Sequence, residues 1–160
     1  MSSSTPPIET NAPNQEIVDI HDSIAYRVHR LARMLRKHFL HLASSHNLEL
    51  TPEQWFCLNK LRLGGPMSQT DLTEEAFGDR PNITRILTRL EKRGLVHRER
   101  DPDDGRRHRV SLTAAGLELH DAFSTIVRDT RDELFQGIST DDMQTAHRVL
   151  ALLEASLPTP

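Results

Sequence analysis

From Glu16 to about His46 the apolar residues fall at Ile17, Ile20, Ile24, Val28, Leu31, Leu35, Phe39 and Leu42, always three or four apart. Such steps trace one stripe on a long helix. A helix of about 30 residues spans roughly 45 Å. That exceeds what a small globule needs, so part of the stripe is expected to pack on another chain. Ahead of it, residues 1–14 are rich in Ser, Thr, Pro and Asn. They hold too little apolar surface to order themselves and read as a flexible tail.

The middle of the chain is punctuated by helix starts and stops. Thr51-Pro52-Glu53 places a cap hydroxyl before a proline in the first turn. The helix it opens runs through Trp55, Phe56, Leu58 and Leu61 to a break at Gly64-Gly65-Pro66. Ser68-Gln69-Thr70-Asp71 has the spacing of a capping box, with Asp in place of Glu, and opens a short helix ending near Gly78. Asp79 is placed to cap a further helix that tolerates Pro81 in its first turn. That helix buries Ile83, Ile86, Leu87 and Leu90 and stops at Gly94.

Leu95 to Arg100 and His108 to Leu112 then read as two short strands joined by a charged, turn-rich loop, 101–107. Leu117, Leu119, Phe123, Ile126, Val127, Thr130 and Leu134 return to helical spacing as far as Gly137. Ser139, three residues before Asp142, caps a last helix with Met143, Ala146, Val149, Leu150, Leu153 and Leu157. The fold class is therefore mainly α, an α+β arrangement with one small hairpin.

Two short helices joined by a tight turn fit the helix-turn-helix plan, whose second helix enters the DNA major groove. With its apolar stripe assigned to the core, that helix keeps Arg80, Asn82, Thr84, Arg85, Thr88 and Arg89 pointing outward. Asn pairs with adenine, Arg with guanine or phosphate, and Thr with a phosphate or the thymine methyl. The hairpin is placed as a wing whose tip arginine enters the neighbouring minor groove.

Charge changes the picture only when it is localised. The net formal charge of −3 argues against a polyanion partner. Residues 80–109, however, hold ten Arg/Lys against five acids, so this island carries +5 and the remainder −8. A basic island on an acidic body binds a polyanion in one orientation. The blander reading is a solvated helix face.

Residues 68–113 resemble the winged helix-turn-helix of the MarR family of bacterial transcription regulators. The resemblance is carried by Ser68-Gln69-Thr70-Asp71-Leu72, by Asp79 to Leu87, and by Arg89-Leu90-Glu91-Lys92-Arg93-Gly94-Leu95-Val96. The family's spaced wing pattern, Asp-x-Arg-x5-Leu-Thr, occurs as Asp104, Arg106, Leu112 and Thr113. One departure is Thr73, where many members carry a small apolar residue. The resemblance implies a homodimer held by long N- and C-terminal helices, with one winged domain per subunit. Its expected layout is a tail over 1–15, an N-terminal dimerisation helix in 16–50, the winged domain in 51–112 and C-terminal dimerisation helices in 113–158.

The resemblance further implies a DNA face made of Ser68, Gln69, Thr70, Arg80, Pro81, Asn82, Thr84, Arg85, Thr88, Arg89, Arg106 and Arg107. Arg106 is the wing-tip arginine, and Asp104 steadies the wing by an ion pair with an arginine. The expected partner is a pseudo-palindromic duplex, bound by a repressor that a small organic effector, such as an aromatic acid, releases. Trp55 reads first as core and second as lining for that effector, with His38 and His41 as weaker candidates.

Other classes fare worse. No GxSxG, GxGxxG, P-loop or HExxH motif is present, so neither an enzyme nor a cofactor is expected. The Asp101-Asp103-Asp104-Gly105 run has its glycine one place early for a calcium loop, with Leu112 where Glu belongs. Nine histidines invite a metal-sensing reading, but none stands at zinc-finger spacing with a cysteine. The single cysteine, Cys57, lies among Trp55, Phe56 and Leu58, which suits a buried inert thiol better than a redox switch. A lone cysteine fits a reducing cytoplasm, and no apolar run is long enough to cross a bilayer. The remaining alternatives are a metal- or redox-responsive regulator of the same fold and a winged-helix module that binds an acidic protein.

Overall fold

The computed structural model describes residue 20 and residues 23–75, 80–100 and 108–157, with the backbone alone at 74, 75 and 80. The chain divides into two compact units, Met1–Leu50 and Thr51–Pro160. The expected tail and the wing loop, with Asp104, Arg106 and Arg107, lie outside the described residues, as do Gly78 and the proposed cap Asp79.

The first unit is dominated by α1 (Ile24–Ser45), 22 residues long. It starts later than the apolar spacing predicts. Ser23 has an extended backbone (φ −71°, ψ 124°) and ends the helix on its N-terminal side. The helix therefore rises about 33 Å rather than about 45 Å. Only Ala43 of α1 is buried, while Ile24, Val28, Leu31, Met34, Leu35 and Leu40 stay 39–57% exposed.

The second unit opens with α2 (Pro52–Gly64). Thr51 Oγ1 accepts from the Gln54 N–H, and the Gln54 side-chain oxygen accepts from the Thr51 N–H, closing a reciprocal cap. Gly65 follows at φ +72°, a conformation that costs glycine nothing. Next come β1 (Met67–Ser68), α3 (Gln69–Glu75), α4 (Arg80–Lys92), β2 (Val96–Arg100) and β3 (His108–Leu112). The strands form one antiparallel sheet in the order β1-β3-β2. The two expected strands are present, and β1 is an addition to them, created by the pairing of Met67 with Val110 and Ser68 with Arg109.

The core of this unit gathers Leu58, Leu61, Leu72, Ile83, Leu87, Leu90, Val96, Val110 and Phe123. Phe123 comes from α5 (Ala114–Leu134), whose cap Thr113 accepts from the Gly116 N–H. Leu117, counted in that helix's apolar stripe, is instead exposed; Gly116, His120 and Phe123 face inward. The last helix, α6 (Thr140–Ser156), is capped by Ser139 through the Asp142 N–H, as its spacing predicts. None of its residues is buried, and Val149, Leu150 and Leu152 stand open. No described helix is long and apolar enough to cross a membrane.

Candidate nucleic-acid interface

The site is built on α3, α4 and the β2–β3 ribbon. Ser68 is the cap of α3: its hydroxyl accepts from the Asp71 N–H at 3.1 Å, and the residue is buried. Gln69 and Thr70 are half-buried at the start of that helix. Thr73, the departure from the family's small apolar residue, settles its hydroxyl on the Gln69 carbonyl at 2.7 Å, one turn back in its own helix. The family's reason for a small residue there is thereby met in another way.

Helix α4 is sorted by its own periodicity. Ile83, Ile86, Leu87 and Leu90 are buried, whereas Pro81, Thr84, Arg85 and Arg89 are exposed and Asn82 and Thr88 half-buried. Every residue the sequence assigns to the outward face, apart from Arg80, whose side chain lies outside the description, is therefore kept out of the core. Gln69 Nε2 donates to Thr84 Oγ1 at 2.7 Å, tying α3 to α4. Arg85 Nη2 donates to Asn82 Oδ1 at 3.0 Å.

At its far end α4 is fastened to the ribbon. Arg98 Nε on β2 donates to Glu91 Oε2 at 2.9 Å, and a second guanidinium N–H meets the same oxygen. Arg98 Nη2 also reaches Thr88 Oγ1 at 3.4 Å. The Arg98 guanidinium, through its hydrogen bond first and its charge second, holds the Glu91 carboxyl below its ordinary range against the opposing effect of burial. Arg98 thus spends its charge inside the domain, leaving Arg85, Arg89, Lys92 and Arg100 as exposed cations of the described surface. Between helix and ribbon lies an open hollow of about 420 Å³, bordered by Gln69, Thr84, Glu91, Arg98 and His108.

The ribbon leaves the core as it extends. Val96 is buried, but from Arg98 onward β2 is progressively solvated, and Arg100 pairs with His108 where the described strands end. Any loop joining them continues away from the core.

The residues named for an effector sit elsewhere. Trp55 is buried, stacked on His120 (centroids 4.8 Å apart, planes 10° apart) and edge-on to Phe123 at 5.2 Å. His120 was not singled out by the sequence, because a histidine does not register in an apolar stripe; its spacing with Gly116 and Phe123 is the signal that would have found it. Its ring nitrogens lie 3.1 Å from Asn59 Oδ1 and from Asp121 Oδ1, and Arg62 Nε donates to the same Asp121 oxygen at 3.0 Å. Arg62, followed by His120, lowers the Asp121 carboxyl below its ordinary range. His38 and His41 are exposed on α1. Cys57 is fully buried, and desolvation, helped by the charge of Glu53, pushes its thiol up to about 11. Among the described residues no group of three His, Cys, Asp or Glu gathers to hold a metal.

Comparison with known proteins bears on this arrangement directly. The MarR family model matches residues 50–108. The structure of a probable transcriptional regulator from Pseudomonas aeruginosa shares 32% identity over 84% of this chain and 98% of its own, with a TM-score of 0.72. The chain belongs to the MarR family. It carries the winged-helix fold of that family's transcriptional regulators. Two further structures extend the likeness. The transcriptional regulator PcaV from Streptomyces coelicolor, solved with its natural ligand, is 26% identical over 87% of this chain and 96% of its own (TM-score 0.74). The transcriptional repressor CouR, solved on a 23-mer DNA duplex, is 26% identical over 87% and 97% (TM-score 0.78).

Proposed function

We propose that this MarR-family protein is a homodimeric repressor that binds a pseudo-palindromic operator and is released by a small organic effector. The observation that carries the reading is the outward face of α4, where Asn82, Thr84, Arg85 and Arg89 are held off a fully apolar core beside a projecting ribbon. A winged module that only bound an acidic protein would need the cations but not the base-reading amide and hydroxyls. CouR on its duplex supports the DNA half of the reading and PcaV with its ligand the effector half.

The dimer is supported by what one chain leaves uncovered. Exposed apolar residues run the length of α1 and recur on α6, and a second copy is the partner that buries them. Twofold pairing lets two recognition helices enter major grooves about 34 Å apart, one helical turn. An effector that prefers a dimer of different spacing must weaken DNA binding by the same coupling factor, because linkage is reciprocal. Work on DNA places the protein in the cytoplasm.

Footprinting on DNA upstream of the protein's own gene tests this, followed by a screen of small aromatic acids for release. The proposal expects a protected, pseudo-palindromic site. Equal, unprotected binding along the whole fragment contradicts it. Zinc or peroxide added to the same assay separates an organic effector from a metal or redox signal.

A further inference from the structure

We propose that Asn82 and Arg85 act as one reading unit that selects guanine rather than adenine in each half-site. The inference rests on the DNA-binding reading above and sharpens which base that surface recognises.

The two residues are three apart on α4 and so lie on one side of it. Arg85 Nη2 stands 3.0 Å from the carboxamide of Asn82. A guanidinium has five donors and no acceptor, so the Asn82 atom it faces is the oxygen, whichever way a carboxamide is otherwise drawn. That assignment decides the chemistry. An asparagine reads adenine by accepting from N6 with its oxygen while donating to N7 with its nitrogen. In this pair the oxygen is turned onto Arg85. Reading adenine would require Asn82 to abandon that contact and leave the guanidinium to reorient. Guanine makes no such demand, since its major-groove edge offers two acceptors, O6 and N7, to a donor pair. The bond also holds the long Arg85 side chain, exposed on the helix surface, in one arrangement before DNA arrives. Less rotamer freedom is then lost on binding.

The test is a selection from a duplex pool with a randomised centre, carried out with the wild type and with Asn82→Ala, Arg85→Ala, Asn82→Asp and the double alanine variant. The selected wild-type duplex is then titrated by fluorescence anisotropy, with each guanine in turn replaced by adenine. The variants are checked for wild-type helical circular dichroism. The proposal expects one guanine per half-site whose replacement weakens wild-type binding about tenfold or more. Asn82→Ala and Arg85→Ala both lose discrimination at that same position, and the double variant is no less selective than Arg85→Ala alone. Asn82→Asp keeps an acceptor for Arg85 and keeps the guanine preference, though binding is weaker overall. Adenine at the position that Asn82→Ala relaxes would overturn the proposal. So would additive losses at two different base pairs. Failure of the wild type to enrich any duplex instead removes the DNA-binding reading itself.

Discussion

Gly116 in the first turn of α5 lies so close beneath the chain entering β2 that a Cβ on it would stand 2.0 Å from the Leu95 carbonyl oxygen. The contact is reinforced one turn away, where Thr113 Oγ1 donates to the Gly94 carbonyl at 2.6 Å while capping α5. Glycine within a helix ordinarily costs about 1 kcal/mol relative to alanine. Here space decides the sign. The obstacle is backbone, which cannot swing aside, so Gly116→Ala is expected to destabilise the domain by about 1–3 kcal/mol, as overpacking does. Urea denaturation measures it, and a stabilised variant would show that α5 and β2 are not in this contact.

The Glu91–Arg98 ion pair fixes the ribbon to the recognition helix and makes a pH prediction. Glu91 is more acidic in the folded chain than its ordinary 4.5. Its contribution to stability is therefore present above that value and is lost as pH falls through the lower, folded value. Because the pair is partly solvent-exposed, Glu91→Gln should cost no more than about 1 kcal/mol at neutral pH. In urea denaturation the gap between wild type and variant should narrow below pH 4.5. A gap that widens in acid contradicts the assignment.

Cys57 is expected to be inert. A fully buried thiol whose pKa is pushed up to about 11 offers almost no thiolate at neutral pH. Native protein should react with a thiol reagent only in denaturant, and peroxide should leave DNA binding unchanged. Rapid modification of the folded chain, followed to completion by mass spectrometry, would restore the redox reading.

The local chemistry of helix ends made much of this fold legible. Thr51, Ser68, Thr113 and Ser139 each accept from the N–H three residues on, an interaction contained within four residues of sequence. Two of these were read as caps in advance with their partners in view, Ser68 with Asp71 and Ser139 with Asp142. What escaped depends on distant segments. β1 is two residues long and exists because Val110 and Arg109 lie opposite it. The Gly116–Leu95 approach joins a helix to a strand through backbone atoms, which no side-chain pattern reports. The apolar spacing at Ile17 and Ile20 predicted helix where Ser23 breaks it, because periodicity alone does not locate an N-terminus. On the candidate site, α4's outward set emerged by subtraction of its core, whereas the spending of Arg98 on Glu91 required the fold.

The ribbon's role is tested at its tip. Arg106→Ala should weaken binding to specific and random duplexes alike and lower the salt slope by about one unit, the signature of a lost backbone or minor-groove contact. An unchanged affinity and slope would remove the wing from the interface.

The most direct test of the central claim is the stoichiometry and selectivity of binding, read in one fluorescence-anisotropy titration. Labelled duplex from upstream of the protein's own gene is compared with a shuffled duplex of equal length at a fixed salt concentration. The account predicts saturation at two subunits per duplex and an affinity for the native sequence well above that for the shuffled one. Equal affinity for both, or saturation by a single subunit, would contradict it.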